Sequence, residues 1–140
     1  MRILIAEDES TSRQLLAAHL SGLGPCDAVE NGEEAVERVR QALDAGHPYT
    51  LICLDIMMPY LDGHGAIKAI RALEHEHGIL LGDGAKILMT TVLDDSKNIF
   101  GAFKANCDGY VLKPIDKAKL MEQLRALGLV GPDDRPAPGA

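Results

Sequence analysis

The sequence lacks any stretch that could cross a membrane or serve as a secretory leader: its apolar start, residues 3–6, is far shorter than either requires. A cytoplasmic location with no membrane partner is the expectation that follows. It also lacks a clustered basic run, and its formal net charge is −7. Direct contact with nucleic acid needs grouped Lys and Arg against phosphates, so none is expected. Cysteine is scarce. Cys26, Cys53 and Cys107 have no paired spacing, and Cys53 lies inside an apolar run, so they read as reduced, mostly buried thiols.

What is present describes one globular domain. The chain has 140 residues, 46% of them hydrophobic and 25% charged, enough to build a core and too apolar for a disordered chain. Short apolar runs alternate with helical patterns. The runs are residues 2–6, 50–54, 86–90 and 109–112, with a weaker one near Asp27–Glu30. Between them, Thr11-Ser12-Arg13-Gln14 fits a capping box for a helix over 11–23, with Leu16, Leu20 and Leu23 on one face. Asn31-Gly32-Glu33-Glu34 starts a second helix, with Ala35, Val39 and Leu43 as its stripe. Pro59 and Asp62-Gly63 form a loop before a third helix carrying Ile67, Ile70 and Leu73, which dissolves around Gly78 to Gly84. Further helices are predicted over 95–105 and 116–127, the latter with Leu120, Leu124 and Leu127 inward. The domain is set at 1–127. Residues 128–140, with three prolines and three glycines, read as a flexible tail or truncated linker.

Parallel strands need crossover connections, so strict β/α alternation implies a doubly wound five-stranded parallel sheet with helices on both faces. In such a sheet ligands bind beyond the carboxyl ends of the strands, where the strand order reverses. With the order 2-1-3-4-5, the reversal falls between the first and third strands. Four polar spots stand where apolar runs stop: Glu7-Asp8, Asp55, Thr91 and Lys113. That topology would gather them at one edge.

Two like charges about 4 Å apart repel by roughly 4 kcal/mol at an effective dielectric of about 20, so adjacent carboxylates call for a cation. An all-oxygen ligand set without Cys or His suits Mg²⁺, with Mn²⁺ as the alternative. A metal would also offset the repulsion between an aspartate nucleophile and an anionic phosphoryl donor. Lys113 would neutralise a phosphoryl oxygen, and the Thr91 hydroxyl would donate to another. Thr90 is the competing hydroxyl; the spacing of 22 residues to Lys113 favours Thr91. His75 and His77 stand two apart and would not share a helix face, so they read as a solvated helix end. His19 and His64 carry no partner pattern.

Jointly and in this order, Glu7-Asp8, Asp55-Ile56-Met57-Met58-Pro59 with Asp62-Gly63, Thr91, and Gly109-Tyr110-Val111-Leu112-Lys113-Pro114 resemble a response-regulator receiver domain of the stand-alone chemotaxis type, over about residues 2–127. The resemblance implies a flavodoxin-like fold with five helices and a phosphoacceptor switch of a two-component system. Asp55 would take a phosphoryl group from a sensor histidine kinase or a phosphotransfer protein. The domain would assist its own phosphorylation and dephosphorylation without being an enzyme in the ordinary sense. Asp8, Asp55 and the Met57 backbone carbonyl would bind Mg²⁺ directly and Glu7 through water. A cis peptide before Pro114 would aim Lys113. Thr91 and Tyr110 would act as switch residues, changing a face built from the 95–105 helix, the 109–112 strand and the 116–127 helix. Ile99, Lys104, Tyr110 and Lys117 would lie on it. That face would meet an output protein whose identity the sequence leaves open, or a second copy of the chain.

Departures from the family pattern are Val92, where a small residue is usual, apolar Met57 and Leu93 flanking the site, Asn106 in place of a glycine, and the extra loop 78–84. Apolar flanks hinder an attacking water, so slow self-dephosphorylation is expected. Three other readings compete. A phosphatase of the haloacid dehalogenase type would need an acid where Met57 stands. An interaction-only domain would not need the chemical residues. An N-terminal receiver of a longer regulator would share them all.

Overall fold

The computed structural model describes residues 1–58, 60–92, 106–133 and 135–137. Its elements run β1 (Ile3–Ala6), α1 (Ser10–Leu20), β2 (Cys26–Val29), α2 (Gly32–Asp44), β3 (Leu51–Asp55), α3 (Gly63–Glu76), β4 (Lys86–Thr91), β5 (Gly109–Leu112) and α4 (Lys117–Ala126). The five strands form one parallel sheet in the order β2-β1-β3-β4-β5, as the alternation predicts. The helix predicted over 95–105, with Ile99 and Lys104, lies outside the described residues, as do Leu93 and Pro59.

The strand pattern follows from position in the sheet. β1 and β3 are inner strands and buried at every residue. Successive side chains point to opposite faces, so each strand feeds two cores. Leu4, Ile52, Leu54, Ile87 and Met89 pack with α2 and α3 through Ala35, Val39, Ala66, Ile67 and Ile70. Ile3, Ile5, Leu51, Cys53 and Leu88 pack with α1 and α4 through Leu16, Leu20, Leu120, Met121 and Leu124. Each fully buried Leu or Ile of this kind stabilises the fold by about 1.5–3 kcal/mol. Burial also pushes the Cys53 thiol up to about 12 and the Cys107 thiol up to about 11, so neither forms thiolate at neutral pH.

Helix starts are set by side chains that accept from free backbone N–H groups. Asn31, Asp62 and Asp116 cap α2, α3 and α4. At α1 the capping-box reading is corrected. Glu9 is the cap, accepting from Thr11 N at 3.0 Å and Ser12 N at 2.8 Å, which moves the start of α1 to Ser10. The Ser12 hydroxyl and amide, with the Thr11 amide, hold the Glu9 carboxyl down at about 2. α1 also stops at Leu20, short of the expected 23.

Residues beyond α4 are not all free of the core. Leu129 and Val130 are 6% and 5% exposed and join the α1/α4 cluster. Val130 forms an antiparallel bridge with Pro136, closed by Gly131 N to Arg135 O at 2.8 Å and Ala137 N to Leu129 O at 3.0 Å.

On the sheet edge opposite the strand carboxyl ends, Arg71 of α3 forms a partly buried polar hub. It donates to Glu74 Oε1 at 2.7 Å, Ala85 O at 2.8 Å and Asp108 Oδ2 at 2.9 Å, and twice to Asn106 O. Asn106 takes φ 78°, the left-handed conformation that asparagine tolerates. Arg71 thereby fixes the chain just before β5.

Candidate functional site

The reversal of strand order between β1 and β3 brings residues 7, 8 and 55 to one place. Glu7 and Asp8 follow the last residue of β1, and Asp55 is the last of β3. One carboxylate oxygen from each of Glu7, Asp8 and Asp55 lies within 4.8 Å of the others. Glu7 is fully buried, Asp55 is 6% exposed and Asp8 is open to solvent.

Lys113 reaches the cluster from the end of β5. Its Nζ is 3.1 Å from Asp55 Oδ2 and is paired with Glu7 Oε1. The Lys113–Pro114 peptide is cis. The backbone N–H of Met57 donates to Asp55 Oδ1 at 3.1 Å, so each Asp55 oxygen has a donor. Burial pushes the Glu7 carboxyl up, reinforced by the neighbouring Asp55 and opposed by Lys113. Burial alone would lower Lys113, but the two carboxylates outweigh it and hold its ammonium charged above the ordinary value.

Gly63, the first residue of α3, permits this packing. A Cβ there would come within 2.8 Å of Asp55 O and 2.9 Å of Ile56 Cα. Any larger residue would push the start of α3 off the end of β3.

Thr91 ends β4 and is 4% exposed; Lys113 N donates to its carbonyl at 2.6 Å. Thr90 lies opposite Asp55 in the ladder, and its hydroxyl is buried without a hydrogen-bond partner among the described residues. Tyr110 is half-buried beside the α2/α3 core and lies opposite Met89. Met57 and Val92 are 65% and 64% exposed and form an apolar rim. His77 lies exposed at the end of α3, as the sequence placed it, and also bonds Asp44 of α2. Sequence reasoning missed Arg13, whose Nη1 donates to the Glu7 carbonyl at 2.9 Å. The available signal was a cation in the second turn of α1, whose side chain turns back toward the helix start.

The donor set suits a small, hard dication. Three carboxylates lie within one coordination sphere's reach, two buried and one open, and among the described residues the Lys113 ammonium leaves their charge incompletely balanced. Glu7, Asp8 and Asp55 are the residues able to hold it.

Known proteins share this fold. The response regulator receiver domain family matches residues 3–125. The chain is 36% identical over 125 residues to the two-component response regulator ORR41 of Oryza sativa subsp. japonica, covering 86% of this chain and 88% of that protein. Among solved structures, the receiver domain of the histidine kinase CKI1 from Arabidopsis thaliana, complexed with Mg²⁺, superposes with TM-score 0.78 at 24% identity, covering 90% of each chain. The receiver domain of the sensor histidine kinase PA1611 from Pseudomonas aeruginosa, with a magnesium ion coordinated in its active site cleft, gives TM-score 0.72 at 26% identity. That match covers 91% of this chain and 97% of the other. The chain spans only 44% to 52% of the transcriptional regulators it matches. It belongs to the response regulator receiver domain family of two-component signalling. Receiver domains are signalling phosphoacceptors, not enzymes in the ordinary sense. They bind Mg²⁺ at an acidic pocket and take phosphate from histidine kinases or phosphotransfer proteins. No helix among the described residues is long and apolar enough to cross a membrane.

Proposed function

We propose that this chain is a phosphoacceptor switch in which Asp55 takes a phosphoryl group from a phosphohistidine on a kinase or phosphotransfer protein. The observation that carries the reading is the convergence of Glu7, Asp8 and Asp55 within 4.8 Å, with Lys113 on Asp55. An Asp55 carboxylate oxygen attacks the phosphorus while the bond from phosphorus to the donor histidine breaks, the electron pair leaving with the imidazole. Mg²⁺, or Mn²⁺ in its place, supplies positive charge to the transferring oxygens when bound. Asp8, Asp55 and the Met57 carbonyl would hold it, with Glu7 acting through water.

The chain's own groups do the rest. Met57 N–H and Lys113 orient the Asp55 carboxylate, and Lys113 then neutralises a phosphoryl oxygen. The Thr91 hydroxyl donates to another, which shifts the segment after β4 and gives Tyr110 room to turn. Moving such a switch from mostly off to mostly on requires about 5 kcal/mol of preference between states, within reach of several charge-assisted bonds. The face that changes comprises the 95–105 segment, β5 and α4, with Lys117 exposed at the start of α4. It meets an output protein or a second copy of the chain. The folded unit is the receiver itself, with residues past 127 as a tail or linker that begins by packing back on it.

Beryllofluoride, a phosphoryl mimic, tests this. With Mg²⁺ it shifts the amide resonances of residues 7, 8, 55 and 91 in the wild type and leaves Asp55→Ala unchanged. Equal shifts in both proteins, or none in the wild type, refute it. The partial coverage of the longer regulators favours a second reading, the same switch at the head of a longer protein. The two readings share the Asp55 chemistry and differ in what the switched face controls.

A further inference from the structure

Arg13 reaches the acid cluster from behind. Its side chain is 19% exposed and turns back along α1 to the end of β1. Nη1 donates to Glu7 O at 2.9 Å and reaches Asp8 O at 3.4 Å, while Nη2 lies 3.5 Å from Glu30 Oε1, just past β2. One guanidinium thus joins the segment after β1, the second turn of α1 and the end of β2.

Two effects of opposite sign follow for a cation held by Glu7 and Asp8. A nearby positive charge repels it, so removing Arg13 would tighten binding. A clamp on the carbonyls of those two residues holds their carboxylates in place, so removing Arg13 would weaken binding. The clamp prevails for three reasons. The guanidinium donates to backbone carbonyl oxygens and not to the cluster's carboxylates, Glu30 offsets part of its charge, and solvent screens the remainder. Asp8 depends on the clamp most, because its side chain is exposed and no packing fixes it.

We infer that Arg13 is a positioning residue for the magnesium site, an inference that rests on the functional reading above. It acts through the Glu7 and Asp8 backbone and does not touch the ion. Partners that orient metal ligands commonly alter affinity when removed, by about tenfold at the low end.

The test is a calorimetric Mg²⁺ titration of wild type, Arg13→Met and Arg13→Lys, with thermal midpoints measured without Mg²⁺. Arg13→Met keeps the apolar stem and loses the donors; its dissociation constant is expected to rise on the order of tenfold. Arg13→Lys keeps the charge and a donor and is expected to fall between. A midpoint that drops while Mg²⁺ affinity stays at the wild-type value overturns the inference, as does tighter binding. If Arg13→Met does not fold, Arg13→Lys decides alone, and wild-type affinity in it overturns the inference. A wild type that binds no Mg²⁺ is a different failure, since it removes the functional reading on which the inference rests.

Discussion

Lys113 Nζ stands 3.1 Å from Asp55 Oδ2, and the same ammonium pairs with the fully buried Glu7. One cation therefore serves two carboxylates while Asp8 adds a third negative group nearby. Without a dication the cluster carries surplus negative charge, a cost to stability kept for the sake of the site.

Removing one of those charges is expected to stabilise the Mg²⁺-free protein. Asp55→Asn preserves the shape but keeps only one of the two acceptor oxygens that Lys113 and Met57 N–H use, while relieving repulsion with Glu7 and Asp8. The expected gain is roughly 1 kcal/mol, read by urea unfolding in EDTA. Mg²⁺ should stabilise the wild type by about 2.7 kcal/mol at a hundredfold excess over its dissociation constant, and Asp55→Asn by much less. A less stable Asp55→Asn in EDTA would show that the Lys113 pair outweighs the repulsion.

Met57 is 65% exposed at the rim beside Asp55. An apolar side chain there offers no hydrogen bond to an incoming water. Met57→Asn is expected to shorten the lifetime of the phosphorylated protein by about tenfold, less than a full general base supplies because an amide only positions the water. Leu93→Glu should act in the same direction. An unchanged decay rate in both variants would remove the apolar rim as the cause of slow hydrolysis.

Arg71 is 14% exposed at its side chain and satisfies Glu74, itself 6% exposed, and Asp108. Arg71→Met leaves a buried carboxylate unpaired and frees the Asn106 carbonyl. The expected loss is about 3 kcal/mol by urea unfolding. A loss below about 1 kcal/mol would mean water replaces the guanidinium.

His77 presents both ring nitrogens to acceptors: Nδ1 to Leu73 O at 2.8 Å and Nε2 to Asp44 Oδ1 at 2.9 Å. Only the imidazolium can donate to both. The Leu73 carbonyl and Asp44 accordingly hold its pKa above the ordinary value, with Glu76 adding to the pull, while Arg40 competes for Asp44 at 3.7 Å. A raised folded value gives a contribution that is full below the unfolded pKa and is lost as pH rises through the folded one. The stability difference between wild type and His77→Gln should therefore be larger at about pH 5.5 than at about pH 9. A difference independent of pH would show that the ring is not charged in the fold.

The sheet order and the four polar spots were legible because β1, β3, β4 and β5 are short, carry apolar runs, and end on or just before charged or hydroxyl residues. β2 was faint because it is an edge strand, buried only at Val29. Glu9 was passed over as a cap because Thr11-Ser12 offers residue types that cap more often. Arg71 acts through a carbonyl 35 residues away in sequence, which no local pattern encodes, while Arg13 reaches the Glu7 carbonyl only 6 residues back. Leu129 and Val130 were hidden among prolines and glycines, yet they bury against the α1/α4 core.

The central claim is that Asp55 accepts a phosphoryl group, and the most direct measurement is to locate that group. The protein is incubated with acetyl phosphate and Mg²⁺, reduced with borohydride, which converts an aspartyl phosphate to homoserine, and sequenced by mass spectrometry. The account predicts homoserine at position 55, only when Mg²⁺ is present. Homoserine at another position, or a phosphoryl adduct that persists in Asp55→Ala at the wild-type level, would contradict it.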